Sequence, residues 1–68
     1  MKIVAHTHAF AKARILNGFT QRELARRSGL SYGYISMIER GEKSVGPAAA
    51  KKLSELLDKP VEELFRIE

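Results

Sequence analysis

Glycine and proline residues divide this chain of 68 residues into about five short segments. The breaks fall at Gly18, Gly29, Gly41, Gly46-Pro47 and Pro60. Most segments between them place apolar residues at helical spacing, and few show the alternation that is typical of a strand. The sequence therefore predicts one all-α domain, residues 1–68, built from five short helices.

The clearest helix start lies at Thr20, which is followed three residues later by Glu23. A threonine and a glutamate at this spacing form a capping box, in which each side chain accepts from a backbone N–H of the other residue. Gly29 ends the same segment, because the tight turn after a helix needs a residue that tolerates positive φ. We expect a helix over residues 21–28.

Only Leu30 and Ser31 separate this helix from the next, which Ser31 caps and Gly41 ends. Two residues are too few for the chain to reverse direction, so the two helices must cross steeply. The small side chain of Ala25 suits such a close contact. Residues 21–40 are thus predicted to form a helix-turn-helix unit.

The other helices are less sharply defined. A first helix is expected from about Thr7 to Asn17, with Thr7 as a candidate N-cap. A fourth begins at Pro47, where the missing N–H is harmless, and a short fifth covers residues 61–64. The two termini are each short enough to be extended strands, and they would pair as a two-stranded ribbon if the fold brings them together.

The positive charge is concentrated in one part of the chain. Residues 1–54 carry ten Lys/Arg and three Asp/Glu (+7), whereas residues 55–68 carry two and five (−3), which together give the net charge of +4. Such a distribution suggests a polyanionic partner, and the alternative is that the charge serves solubility.

Several classes of function are disfavoured by what the chain lacks. It has no cysteine, so it can form neither a disulfide nor a thiolate metal site. His6 and His8 are spaced like two ligands on a strand, but no nearby carboxylate or thiol completes a site. No catalytic constellation is recognisable, and we expect no cofactor and no enzymatic activity. With neither a signal peptide nor a membrane span, the expected location is the cytoplasm.

A helical wheel of the third helix, centred between Ile35 and Ile38, separates a core face from an outward face. The outward face holds Gly33, Ser36, Met37 and Arg40, and Tyr32 and Tyr34 flank the core face on opposite sides. If the first turn of this helix enters the major groove of DNA, its side chains meet base edges and Gly33 allows close approach of the backbone.

The residues from Thr20 to Phe65, TQRELARRSGLSYGYISMIERGEKS and later AKKLSELLDKPVEELF, resemble the helix-turn-helix domain of the Cro/CI phage-repressor (XRE) family. The resemblance implies a compact five-helix, lambda-repressor-like fold that binds double-stranded DNA. It also implies a buried ion pair between Arg14 and Glu39. The wheel agrees, because Glu39 lies about 70° from the core direction.

The same resemblance assigns roles on the DNA. It implies that Tyr32, Gly33, Ser36 and Met37 read bases, and that Gln21, Arg40, Lys43 and Ser44 contact phosphates; Gln21 is alternatively a partner of the third helix. Further phosphate contacts are expected from Arg22, near the start of the second helix, and from Ser31 and Tyr34 at the start of the third. Because the reading positions carry no bidentate amide or guanidinium, the operator sequence does not follow from them.

Each of these assignments has an ordinary alternative. Tyr32 and Tyr34 would also fit as half-buried packing residues, and Met37 as an exposed gap-filler or a dimer contact. Arg22 would also fit as part of a solvated helix face.

Two hypotheses for function follow. The first is a sequence-specific transcriptional regulator, most simply a repressor, that binds a palindromic operator as a homodimer. The second is a protein-interaction module, such as an antitoxin-like or anti-repressor adaptor, that uses the same helical fold against a protein. Salt separates them, because phosphate contacts make affinity fall steeply as salt rises.

Overall fold

A computed structural model describes all 68 residues of the chain. In chain order, the elements are β1 (Ile3–Ala5), α1 (Thr7–Leu16), α2 (Gln21–Ser28), α3 (Tyr32–Glu39), α4 (Pro47–Leu57), α5 (Val61–Leu64) and β2 (Phe65–Ile67). The five-helix fold and the terminal ribbon that the sequence predicts are confirmed. No helix has the length and hydropathy that crossing a bilayer would need.

The helix-turn-helix unit begins and ends at the residues that its capping signals indicate. The Thr20 hydroxyl accepts from the N–H of Glu23 at 3.0 Å, and the Ser31 hydroxyl accepts from the N–H of Tyr34 at 3.1 Å. Gly29 adopts a left-handed conformation with φ 75°, which turns the chain sharply between α2 and α3. Ala25, 5% exposed, lies buried in α2 and leaves room for the helices to cross closely.

Two local expectations were wrong in detail. Thr7 does not cap α1; it is the first helical residue, and His6 occupies the N-cap without a side-chain bond to the helix. The capping box of α2 is only half formed, because the Glu23 carboxylate turns to the guanidinium groups of Arg26 and Arg27 instead of the Thr20 N–H. A charged donor binds a carboxylate more strongly than a backbone N–H does.

Asn17 lies at the C-cap of α1, beyond the helix. Its side-chain amide donates to the carbonyl of Ala13 at 2.7 Å and to the carbonyl of Leu57 at 2.9 Å. The second bond joins the end of α1 to the end of α4. The Ala13 carbonyl also accepts from the backbone N–H of Asn17, so the amide adds to a bond already made there, whereas at Leu57 it reaches a carbonyl that the end of α4 leaves without a backbone donor.

The terminal strands pair antiparallel, with Ile3 opposite Ile67 and Ala5 opposite Phe65. The N–H of Val45, in the loop between α3 and α4, donates to the carbonyl of Ile3 at 2.9 Å and adds a bridge on the other edge of β1. Val45 is buried with this ribbon, at 7% exposure. The loop after α3 is thus tied to the N-terminal strand.

The core lies between the helix-turn-helix unit and the remaining elements. Phe10 of α1 and Phe65 of β2 meet edge to face, with ring centroids 5.8 Å apart. The largest fully buried side chains are Phe10, Phe65, Leu24, Ile35, Ile38, Leu53, Leu57 and Leu64. Because α2 and α3 both contribute to this cluster, the core fixes the direction of the outward face of α3.

Candidate nucleic-acid interface

The outward face of α3 begins with an open helical turn. Tyr32 is 44% exposed, and a Cβ added at Gly33 would meet nothing within 4 Å. Ser36 and Met37 follow on the next turn and are half-buried. A glycine at an exposed helical position leaves the backbone there accessible to a partner.

Arg22 and Tyr32 join the first turns of α2 and α3. The Arg22 guanidinium carbon lies 4.4 Å from the centroid of the Tyr32 ring, within the range of a cation–π contact. Arg22 makes no hydrogen bond or ion pair in the chain, so the edge of its guanidinium keeps its donors available. The stacked pair presents a positive charge at the rim of the outward face.

A partly buried polar network centred on Glu39 lies at the end of α3. Arg14 Nε and Nη2 donate to the two Glu39 carboxylate oxygens at 2.7 and 3.0 Å, and Gln21 Nε2 donates to Oε2 at 3.0 Å. Arg14 also donates to the carbonyl of Phe19 at 2.8 Å. The network therefore ties α1, the start of α2 and the end of α3 together.

The electrostatics of this network favour the ion pair. Burial of the Glu39 carboxylate opposes its ionisation, but the hydrogen bonds from Arg14 and Gln21 and the charge of Arg14 outweigh this effect and lower the Glu39 pKa. The hydrogen bond to Glu39 raises the pKa of Arg14. Both groups are charged at neutral pH, and their role is structural.

Arg40, at the end of α3, is already engaged within the chain. Its Nη1 donates to the Ser36 hydroxyl at 2.6 Å, and its Nε and Nη2 each donate to a Glu42 carboxylate oxygen at 3.1 Å. No motif in the sequence marks Glu42 as a partner of Arg40. A phosphate that contacts Arg40 must compete with an exposed carboxylate, which is a weak competitor in water.

The two tyrosines of α3 differ in role. Tyr34 packs against the core, and its hydroxyl donates to the carbonyl of Ser44 at 3.1 Å. The single hydroxyl proton of Tyr34 is therefore already used, and a hydrogen bond from it to a phosphate would require this bond to break. This contact, which no sequence pattern predicts, positions the loop that carries Lys43 and Ser44.

The structure groups the predicted site residues around α3 in pairs. Arg22 meets Tyr32, Ser36 meets Arg40, and Gln21 reaches back to Glu39. Lys43 is exposed and forms no ion pair, and the Ser31 hydroxyl serves as the helix cap. Arg26 and Arg27 instead share Glu23, whose pKa their hydrogen bonds lower to about 2.

Residues 10–64 match the family model HTH_3, described as helix-turn-helix. The chain belongs to this family. The restriction-modification controller protein C.AhdI from Aeromonas hydrophila is 32% identical, with a TM-score of 0.75, over 84% of this chain and 86% of that one. Comparison with curated protein sequences gives no match.

Two further solved structures contain a similar fold within a longer chain. The clp gene regulator ClgR from Corynebacterium glutamicum is 35% identical with a TM-score of 0.76, and the match covers 84% of this chain but 61% of that one. The hypothetical transcription factor NHTF from Neisseria is 26% identical with a TM-score of 0.76, over 84% of this chain and 64% of that one. The XRE resemblance is confirmed, and the HTH_3 chain is a DNA-binding transcriptional regulator, not an enzyme.

Proposed function

We propose that this HTH_3 protein is a sequence-specific repressor that binds a palindromic operator as a homodimer. The observation that carries the proposal is the open first turn of α3, where a Cβ at Gly33 would meet nothing and Tyr32 is 44% exposed. A helix with an accessible N-terminal turn can enter the major groove, which admits one α-helix. The protein would act in the cytoplasm as a single DNA-binding domain.

In this proposal the outward face of α3 reads base edges. Gly33 permits close approach, and Tyr32, Ser36 and Met37 contact the bases. Tyr32 and Met37 offer apolar surface that suits the methyl group of thymine, and the Ser36 hydroxyl can donate to or accept from a base. The stacked Arg22 holds the Tyr32 ring in place.

Phosphate contacts flank this reading face. Arg22 and Lys43 have no ion-pair partner in the chain, so they supply free positive charge at the start of α3 and in the loop after its end. The other proposed phosphate contacts are Gln21, Ser31, Tyr34, Arg40 and Ser44. Of these, Tyr34 contributes mainly by holding the loop through its bond to the Ser44 carbonyl.

A homodimer follows from the small number of bases that one helix can read. Two-fold symmetry doubles the contacts, and the operator then mirrors the symmetry of the protein. A repressor of this kind blocks transcription by occupying its site, and its occupancy follows the protein concentration.

One observation favours a second candidate, the protein-interaction module. Ile15 and Leu16 are adjacent on α1 and are 61% and 71% exposed. A pair of exposed aliphatic side chains fits an apolar partner better than it fits DNA. This function would leave binding insensitive to salt and dependent on Ile15 and Leu16.

Selection of bound fragments from random double-stranded DNA tests the proposal directly. We expect one enriched palindromic site, bound by two copies of the chain. Affinity for that site should fall steeply with added KCl, and Lys43→Ala should flatten the slope of log K against log salt by about one unit. Lys59→Ala, in the turn between α4 and α5, is the matched control and should leave the slope unchanged. Failure to enrich any sequence would favour the second candidate.

Gly33→Leu tests whether α3 approaches DNA as proposed. A Cβ at position 33 meets no atom within 4 Å in the free protein, and leucine is the better helix former, so the melting temperature should not fall. Binding to the selected site should be lost, because the side chain would stand between helix and groove. Gly33→Ala, which adds a single methyl group, is the control and should lose less affinity for the selected site. Normal binding by Gly33→Leu would show that α3 does not enter the groove.

A further inference from the structure

The sheet formed by β1 and β2 has one covered edge and one open edge. Beside β1, the carbonyl of Ile3 accepts from the N–H of Val45 at 2.9 Å, so the loop after α3 covers that edge. Strand β2 has β1 on one side and no strand on the other. An unpaired strand presents backbone donors and acceptors that fit another strand. We call the side of β2 that faces away from β1 the open edge.

The pairing register determines which backbone groups lie on the open edge. Lys2 and Glu68 exchange two backbone hydrogen bonds, at 3.1 and 2.8 Å. Opposite residues of an antiparallel pair alternate between bonded and non-bonded positions. Ile67, opposite Ile3, is therefore in a non-bonded position, and its N–H and C=O point away from β1. The open edge thus carries one unpaired donor and one unpaired acceptor at the same residue.

The side chain of Ile67 adds apolar surface beside these groups. Alternation along a strand places it on the same face of the sheet as Phe65, and the register places it opposite Ile3. Phe65 and Ile3 are 1% and 5% exposed, whereas Ile67 is 58% exposed. The core therefore does not cover the Ile67 side chain, and the space beside the open edge is free at this point.

The other face of β2 carries charges of both signs. Arg66 and Glu68 lie two residues apart on this face, are 55% and 46% exposed, and form an ion pair of 2.7 Å. If two copies of β2 pair antiparallel around Ile67, residue 66 of each copy lies opposite residue 68 of the other. Each arginine then faces a glutamate, whereas a pairing centred on Arg66 would oppose two arginines. The open edge is therefore complementary to itself in one register.

We propose that the open edge is the surface on which a second copy of this chain docks, so that two ribbons join into one four-stranded antiparallel sheet. The two Ile67 residues exchange both backbone hydrogen bonds, and a pair of Arg66 with Glu68 closes on either side. A sheet of three or more strands with an apolar face is more stable than an isolated two-stranded ribbon. The inference rests on the proposed function, because it names the interface of the proposed homodimer.

The open edge lies away from the reading turn of α3. Arg40, Gly41 and Arg66 line a common cleft, which places β2 beside the end of α3. Tyr32 lies at the start of this helix of eight residues, on the order of 10 Å away along its axis. Pairing through β2 therefore leaves both reading turns uncovered. Strands of three residues bury little surface, which is typical of weak association, so two half-sites on one DNA should strengthen the dimer.

An exchange of charges tests the pairing and its register. Sedimentation velocity over a series of protein concentrations, without DNA, compares the parent with R66E and E68R. Each variant alone places like charges opposite each other at two points, so its dimer should weaken about tenfold. An equimolar mixture of the two variants should associate as the parent does, because an acidic strand then faces a basic one. Neither variant keeps the ion pair within its own chain, so recovery in the mixture reports a contact between chains.

Ile67→Pro tests the backbone bonds of the open edge. Proline removes an N–H that makes no bond to β1, and it is tolerated at an edge position whose N–H faces solvent. The melting temperature, measured by circular dichroism, should stay close to that of the parent, while association is lost. Replacing Ile15 and Leu16 together by serine is the matched control, because both side chains are exposed and lie on α1. This control should associate as the parent does.

The outcomes separate this inference from the proposed function. Failure of random DNA to enrich any sequence would overturn the repressor function, and sedimentation would still decide the pairing of β2. Association of R66E as strong as that of the parent, or no recovery in the mixture, would overturn the pairing alone. So would loss of association in the control on α1. If the parent is monomeric without DNA, R66E must bind the selected palindrome more weakly than the parent; equal affinity would also overturn the pairing.

Discussion

Two groups of arginine and glutamate side chains involve this helix-turn-helix unit, one of them joining it to Arg14 of α1, and they differ in burial. In the Glu39 network, the side chains of Arg14 and Glu39 are 14% and 13% exposed. In the Glu23 cluster, the Glu23 side chain is 31% exposed, and those of Arg26 and Arg27 are 70% and 50% exposed. The bonds are similar in length, but water can replace a lost partner only in the cluster.

The comparison also shows why a lowered pKa does not by itself measure stability. The pKa of Glu23 falls to about 2, by its hydrogen bonds to Arg26 and then Arg27. Yet Arg26 and Arg27 are exposed, so water solvates these charges whether or not the ion pairs form, and the pairs add little stability. The Glu39 carboxylate joins three elements of the fold, so its loss changes the packing as well as the charge.

The largest effect is expected from Glu39→Ala. The substitution leaves the Arg14 guanidinium, 14% exposed, without its carboxylate, and this should lower the free energy of unfolding by about 3 kcal/mol. Urea denaturation at neutral pH measures the change. Glu39→Gln keeps the size of the side chain and one acceptor oxygen, so its free energy of unfolding should fall by less. A loss for Glu39→Ala below about 1 kcal/mol would mean that water enters and replaces the carboxylate.

Lowering the pH should remove the stabilisation by the Glu39 carboxylate without a mutation. The folded-state pKa of Glu39 lies below its unfolded value, so the native state binds fewer protons and the stabilisation is present above the unfolded pKa. It is lost as the pH falls through the folded pKa. The gap in urea midpoint between the parent and Glu39→Gln should therefore narrow from about pH 7 to about pH 3. A constant gap would assign the difference to packing rather than to charge.

Gln21→Ala should have an intermediate effect of about 1 kcal/mol, because it removes one hydrogen bond to Glu39 and leaves both bonds from Arg14. Urea denaturation again provides the measurement. Gln21→Glu places a second carboxylate against Glu39. It should therefore lower the free energy of unfolding by more than Gln21→Ala does. Equal stability of the two variants would indicate that residue 21 turns away from the network in solution.

The smallest effect is expected from Glu23→Ala. Its ion pairs are solvated, and alanine is the better helix former, so the melting temperature should stay within about 2 °C of the parent. Circular dichroism during a thermal scan measures this. A fall of about 8 °C or more would show that burial is the wrong criterion for ranking these two groups.

The backbone of the helix-turn-helix unit could be predicted from local signals. Thr20 and Ser31 cap their helices, and Gly29 ends α2, because capping and positive φ depend on residues close in sequence. The apolar spacing of Ile35 and Ile38 defined the core face of α3. These features could be predicted without knowing which elements pack against the two helices.

The contacts of the loop and of the exposed charges were not predictable in the same way. Glu42 is drawn to Arg40, Val45 pairs with Ile3, and the Tyr34 hydroxyl reaches the Ser44 carbonyl. Each contact depends on the path of a loop without periodicity. Glu23 shows the same limit within a helix, because its sequence position fits a capping box but two charged neighbours compete for its carboxylate.

The loop between α3 and α4 is anchored at two adjacent residues near the start of α4, Ser44 and Val45. The Tyr34 hydroxyl binds the carbonyl of Ser44, and the N–H of Val45 binds the carbonyl of Ile3. Ordering a flexible backbone costs about 1–2 kcal/mol per residue in conformational entropy. In this loop that cost is incurred when the chain folds, so a partner that meets Lys43 meets a surface already in position. Association should then be limited by diffusion and charge, without a slow step of loop rearrangement.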